Sequence, residues 1–374
     1  MTKPNIAIVL RTVGLEYDDR VRKECIALSK IANLKIFVTF ENNAKEEGYT
    51  SYGIPYKSFK LTTRERIPSG KLLLVKAFEF YLKVKPYLKE FDLIWAHEEY
   101  TFLFPLFAPR GKFIWDLHEI PAMFTKPIMK NFFNYIENKS KAIIHANPQR
   151  IKYLIENAYI KYPIKHSSIR NFPDNNFLVS NVLPNNYTEF KEWLGDKDYV
   201  YLQGLTLADR FPYNSIASVL DASDLNIVVV GTFEDLEALE SLRNKYGVEL
   251  NRRVFFAGRA NQLAIPAFLR DAKFSIVLYN IDDPNNRYCE ANRFYQAINY
   301  GIPVIVGCNE SMADIINDYN VGIALQSDGR DLDDLKKSIV SLQAQNDFYK
   351  NNATKHGSRF LWDETSLNIR QYVE

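Results

Sequence analysis

The stretch CEANRFYQAINYGIPVIVG, residues 289–307, reads as a helix that runs into Gly301 and, past Pro303, into a short apolar strand. Gly just beyond a helical turn and Pro a little later are stop signals for a helix. The β-branched run that follows them suits a buried strand of a parallel sheet. Arg293 and Gln296 are three residues apart, which places them on one helical face. An arginine near a helix start adds charge to an end that already favours anions. Such a pair could hold a diphosphate and a ribose hydroxyl; the plainer alternative is a surface helix carrying a solvated arginine.

Outward from this stretch the same strand–helix alternation repeats. YVYLQG (199–204), NIVVVG (226–231), RVFFAG (253–258) and FSIVLY (274–279) read as strands, with helices over 234–246, 260–271 and 291–300. Upstream, IAIVL (6–10), LKIFVTF (34–40), DLIWAH (92–97), KFIWDLH (112–118) and KAIIHAN (141–147) read as another set. Between the first two strands, Val21, Cys25, Leu28 and Ile31 recur at helical spacing. Alternating β and α implies parallel sheets covered by helices. The Asn- and Pro-rich segment 171–195 reads as an interdomain linker. The expectation is two doubly wound α/β domains, 1–175 and 176–356, with a final helix of about 357–374 docking back on the first.

Length and composition agree. The chain has 374 residues, 47% hydrophobic and 25% charged, which suits two ordinary globular domains and excludes whole-chain disorder or a coiled coil. The start reads as a polar leader and a short strand rather than a signal peptide. Three cysteines, Cys25, Cys289 and Cys308, fit a reducing cytoplasm better than a disulfide framework. No CxxC or HExxH spacing suggests a metal site, and the Asp pairs at 18–19, 282–283 and 333–334 read as caps or solvated acids. No GxGxxG follows either first strand, which weakens a dinucleotide oxidoreductase.

The charge is unevenly spread. Residues 1–175 carry a balance of +10 and the remainder −8. Segment 57–89 interleaves nine basic residues with Leu, Phe and Tyr, and 122–139 mixes lysines with Phe and Met. That composition fits a protein attached peripherally to an anionic membrane surface on its cytoplasmic side. It equally fits helices with one face in a core and lysines in water. Nucleic acid is disfavoured by near-neutral overall charge and the lack of a binding module.

Ligands of open α/β sheets sit outside the carboxyl ends of the strands. There the chain places Gly14, His118-Glu119, Gly204 and the polar loop NIDDPNNRYCEANRF. Five segments, in order, resemble the GT-B glycosyltransferases, in particular the family-4-type retaining enzymes that use nucleotide sugars. They are DDRVRKECIALSK (18–30), FDLIWAHEEYTFLFPLF (91–107) with KFIWDLHE (112–119), YLQGLTLADR (201–210), NRRVFFAGR (251–259) and EANRFYQAINYGIPVIV (290–306). The resemblance implies two Rossmann-like domains facing across a cleft, the first for the acceptor and the second for a nucleotide-sugar donor. It implies transfer to a glycan or lipid-linked saccharide, as in surface polysaccharide synthesis, with retention and without metal or other cofactor.

Carried over by position, His118 would lie near the reacting sugar, and Arg210 and Arg293 would neutralise the diphosphate. Gly14, Gly204, Gly258, Arg259, Glu290 and Gln296 would form the donor site, and Glu119 and His97 the acceptor side. The sequence departs from the family at Gln296, where the family has a ribose-binding Glu, and at Arg293, where Lys is commoner. Two other readings stay open: a nonhydrolysing nucleotide-sugar epimerase of the same fold, and a non-catalytic sugar- or nucleotide-binding protein.

Overall fold

A computed structural model describes residues 3–68, 71–122, 126, 129–204, 207–363 and 367–373. The chain divides into two compact units, Met1–Asn171 with Glu364–Glu374, and Phe172–Asp363.

The first unit is built on strands β1 (Asn5–Thr12), β2 (Asn33–Phe40), β3 (Glu47–Tyr49), β4 (Pro55–Ser58), β5 (Leu93–His97), β6 (Phe113–Leu117), β7 (Ala142–His145) and β8 (His166–Ser168). Their spatial order is β3-β4-β2-β1-β5-β6-β7-β8, parallel except for the antiparallel β3–β4 pair. The central run is buried on both faces, with Ile6 to Leu10 no more than 1% exposed. The helix Asp19–Ser29 covers it through Val21, Cys25 and Leu28, the residues at helical spacing. Chain order reverses between β1 and β5, so their carboxyl ends border the switch point where such sheets bind ligands.

The second unit carries β9 (Tyr199–Gln203), β10 (Asn226–Val230), β11 (Val254–Gly258), β12 (Phe274–Val277), β13 (Val304–Val306) and β14 (Gly322–Ala324). The order is β11-β10-β9-β12-β13-β14, all parallel, and the switch point lies between β9 and β12. Its core packs Val200, Leu202, Ile216 and Val229 against Leu335, Ile339 and Leu342.

Several expectations are corrected. The segment 171–195 is not a linker: it forms helices Asn175–Leu178 and Tyr187–Leu194 inside the second unit. Phe190 anchors it against Tyr199, Phe255 and Phe268, while Asp174 caps the Phe177 amide. The polar residues that suggested a linker are helix caps and turn formers. The division therefore falls before Phe172, whose ring packs on Tyr295 and Phe360, rather than after 175. Gly357–Phe360 also stays with the second unit, because Asn299 donates to the Phe360 carbonyl. What belongs to the first unit is the later stretch, a 3₁₀ turn at Leu367–Tyr372 rather than an α-helix; Tyr372 packs on Trp95 and donates to Ser167. The expected helix over 260–271 is a 3₁₀ turn, Gln262–Ala264, and one turn at Pro266–Leu269.

Candidate functional site

Each unit gathers polar side chains at its switch point. In the first unit β5 and β6 pair in register with His97 opposite Asp116. Asp116 is fully buried in an apolar strand, which demands a partner. Arg20 supplies it from the first helix, with Nη2 and Nε donating to the two carboxylate oxygens at 2.7 and 3.1 Å and Nη1 to the Ile169 carbonyl at 2.7 Å. Glu24, one turn later, lies 3.0 Å from Arg20 Nε.

The protonation pattern follows from burial and neighbours. Burial would raise Asp116, but the Arg20 guanidinium holds its carboxyl well below the usual carboxylate range. Glu24 has the opposite fate: burial, and the Asp116 charge beside it, push it well above the ordinary carboxylate range. Burial lowers His97 to about 3, so its ring is neutral. For His118 burial opposes the cation, but Glu98 and then Asp116 overcome it and raise its pKa.

His118 Nδ1 lies 2.7 Å from Glu98 Oε1, and its Nε2 lies 3.2 Å from His97 Nδ1. The arrangement is a chain from the Glu98 carboxylate through the His118 imidazole to the neutral His97 ring. Glu98 reaches its position on a backbone with φ +68°, which a side chain rarely adopts. Hydrogen bonds hold it: its amide donates to the Asp116 carbonyl at 2.8 Å, and its carbonyl accepts from Trp115 Nε1 and Thr101 Oγ1, both at 2.9 Å, and from Thr101 N at 3.2 Å. Arg150 donates to the His118 carbonyl.

His97, Asp116 and His118 have ligand atoms within 4.8 Å of one another. Asp116 is already engaged by both faces of the Arg20 fork, and that positive charge opposes a metal ion there. Glu119 is exposed, and Gly14 sits in the turn after β1, where Tyr17 N returns to its carbonyl. His145 is occupied elsewhere: its Nε2 lies 2.8 Å from His166, which in turn meets Glu137.

In the second unit, the chain leaves β9 at Gly204 with φ +66°. Arg210, in the 3₁₀ turn Ala208–Arg210, donates from Nη1 to the Gly204 carbonyl at 2.7 Å. Arg293 comes from the first turn of helix Asn292–Asn299 and is 8% exposed. Both guanidiniums lie over the Tyr279 ring, at 5.5 Å for Arg210 and 4.9 Å for Arg293. A Cβ on Gly204 would stand 3.1 Å from Arg293 Nη1 and 3.2 Å from Arg210 Nη1, so the two cations converge on one glycine.

Among the described residues neither arginine has a carboxylate partner. Arg210 Nε, Arg293 Nε and Arg293 Nη2 are buried with no hydrogen-bond partner, as is Gln296 Oε1. Buried donors left open in this way call for a ligand. Two cations beside a helix start suit an anion with several oxygens. Gly231 follows β10 and Gly258 ends β11, Gly231 donating to the Gly258 carbonyl at 2.7 Å, so neither position places a side chain there. Glu290 accepts from Tyr295 at 2.7 Å, and Arg259 is exposed.

The sequence reading named His97, His118, Arg210 and Arg293 but passed over Glu98, Asp116, Arg20 and Glu24. Signals existed: an aspartate inside the apolar run FIWDL, and an Arg–Glu pair at i and i+4 on a core-facing helix.

No sequence-family profile and no curated protein matches the chain. Solved structures do: the chain has the fold of the GT-B glycosyltransferases, with two Rossmann-like units. Sucrose-phosphate synthase from Thermosynechococcus elongatus is 16% identical with a TM-score of 0.75, covering 99% of this chain and 98% of that one. A glycosyltransferase from Rickettsia africae is 14% identical with a TM-score of 0.73, over 100% and 98% of the chains. Anabaena HepE in complex with UDP and glucose is 14% identical with a TM-score of 0.71, over 98% of both.

Proposed function

We propose that the protein is a glycosyltransferase that moves a sugar from a nucleotide-sugar donor to a glycan or lipid-linked saccharide. The observation that carries this reading is the convergence of Arg210 and Arg293 on Gly204 with buried, unpartnered N–H groups. HepE, whose fold this chain shares, is solved in complex with UDP-glucose, which favours a uridine nucleotide.

Negative charge builds on the leaving diphosphate as the anomeric C–O bond breaks. Fixed cations stabilise that charge at the moment it develops and need little reorganisation. The two guanidiniums supply here what a divalent ion supplies elsewhere, so transfer proceeds without a metal. Gln296 offers a ribose hydroxyl an uncharged donor and acceptor. In the first unit, His118 hydrogen-bonds a sugar hydroxyl, held in place by Glu98. A carboxylate nucleophile is absent from the proposed set, and retention belongs to the reading through its family-4-type motifs. Work on surface polysaccharides at the cytoplasmic face of a membrane fits the basic, apolar-rich stretches of the first unit. No helix among the described residues is long and apolar enough to cross a membrane.

Titration with UDP, UMP and UDP-sugars, read by thermal unfolding, tests the donor. At one hundred times its Kd a ligand adds about 2.7 kcal/mol. Stabilisation by UDP well beyond UMP, unchanged by EDTA, is the expected result; no stabilisation by any nucleotide refutes the reading. Product analysis separates transfer from epimerisation and from simple binding.

A further inference from the structure

A cavity of about 690 Å³ opens in the first unit beside the Glu98–His118 pair. Its size is that of a small-molecule site. Its lining combines the acidic Glu98, Glu99 and Glu119 with the apolar Leu73, Leu74 and Phe102. We infer that this cavity takes an uncharged glycoside bearing a long apolar tail, its hydroxylated head at Glu98 and its tail along Leu73 and Leu74. The inference rests on the glycosyltransferase reading for the name of that ligand, the acceptor, and on the cavity alone for its chemistry.

Three observations carry it. The first is continuity of apolar surface. Leu73 and Leu74 open the helix Leu73–Val84, and Leu74, Phe78 and Leu82 follow one another at i, i+4 and i+8. All three are exposed, by 64, 46 and 48%, so an apolar row leads away from the cavity. It extends roughly 12 Å along the helix, the scale of a medium alkyl chain. A contiguous exposed apolar strip of this kind marks a place where something apolar binds.

The second is the sign of the charge. Arg11 lines the cavity but is engaged by Glu41 at 3.0 Å. Glu98 is engaged in turn by His118, and the lining as a whole holds four carboxylates, Glu41, Glu98, Glu99 and Glu119, against two cations, Arg11 and Lys126. An anionic head would meet repulsion there, and a hydroxyl meets acceptors. The third is position. Glu98 lines the cavity and also touches His118, so a hydroxyl bound by Glu98 lies at the imidazole already assigned to a sugar.

The test is direct binding to the full-length protein by isothermal titration calorimetry, below micelle concentrations. The probes are methyl β-glucoside, octyl β-glucoside and octyl phosphate. The expected order is octyl glucoside at least ~10-fold tighter than methyl glucoside, the gain from burying about two methylenes, with octyl phosphate weaker than octyl glucoside. Leu73→Asn with Leu74→Asn removes the octyl advantage and leaves methyl glucoside unchanged, while Leu236→Asn, exposed in the second unit, changes neither. Equal affinity for the two glucosides overturns the inference, as does an octyl advantage that survives Leu73→Asn/Leu74→Asn. Preference for octyl phosphate overturns the uncharged head. A dimer in sedimentation that the double variant dissolves, with no glucoside preference, assigns the row to a second copy of the chain instead. UDP binding is measured in parallel: its loss with the octyl preference intact defeats the donor reading and not this one.

Discussion

Glu98 Oε1 and His118 Nδ1 lie 2.7 Å apart, with the Glu98 backbone held at φ +68°. A residue kept in that region costs about 1–3 kcal/mol, and such strain clusters where geometry matters for function. The pair keeps a proton on His118 Nδ1 and directs Nε2 towards its neighbours.

Glu98→Gln removes the charge and keeps the shape. Turnover should fall about tenfold or more, within the usual span of acid–base and positioning effects. The His118 pKa should drop towards or below its ordinary value, read by NMR titration of the ring. A His118 titration identical to that of the parent protein would remove Glu98 from this role.

Stability should respond to pH in opposite senses at two histidines. His118 has a raised folded pKa, so its contribution is complete below the unfolded value and is lost as pH rises through the folded one. His97 is held down to about 3, so between there and the ordinary histidine range the unfolded chain binds the extra proton and stability falls as pH drops. The slope from one proton is about 1.4 kcal/mol per pH unit at most. Denaturant unfolding from pH 4 to 8 should show the acid limb flatten in His97→Gln. An unchanged acid limb contradicts the neutral, buried His97.

Arg293→Ala should weaken UDP binding by one to two orders of magnitude, the usual loss of about 1.5–3 kcal/mol for a charge-assisted hydrogen bond. The same change should leave the unliganded protein equally stable or more so, because Arg293 and Arg210 crowd one glycine without an acidic partner. Calorimetric melting with and without UDP reads both effects. A large loss of unliganded stability would make Arg293 a structural residue.

Gly204→Ala places a Cβ 3.1 and 3.2 Å from the two guanidiniums on a backbone at φ +66°. Nucleotide affinity should fall at least tenfold while the fold persists, checked by titration and circular dichroism. Retained affinity would mean that the arginines do not work at this glycine.

Asp116→Asn strips Arg20 of its charge partner in a fully buried place. Breaking such a pair costs about 3–5 kcal/mol. Denaturant unfolding should show that loss, and Arg20→Met combined with Asp116→Leu should lose less than the sum of the single changes.

The alternation of strand and helix was legible because the central strands are buried on both faces and therefore read as apolar runs. Glu47–Tyr49 and His166–Ser168 escaped because edge strands of three residues carry no such pattern. The helices within 175–194 were hidden by the Asn and Pro residues that cap and separate them. At the site, Arg210 and Arg293 were visible as motif positions. The Arg20–Asp116 pair joins residues 96 apart, and no local spacing announces it. Nor does a sequence show that Glu98 sits at positive φ, since that choice is made by Trp115, Thr101 and the neighbouring strand.

The crowding of Arg210 and Arg293 has a kinetic side. Both guanidiniums reach Gly204 with buried N–H groups that have no partner, so on the proposed donor reading a bound polyphosphate would satisfy donors that the vacant lobe leaves open. In a cell rich in free nucleotides the lobe would rarely stand empty, and escape of the spent nucleotide, more than scission of the glycosidic link, would pace each cycle.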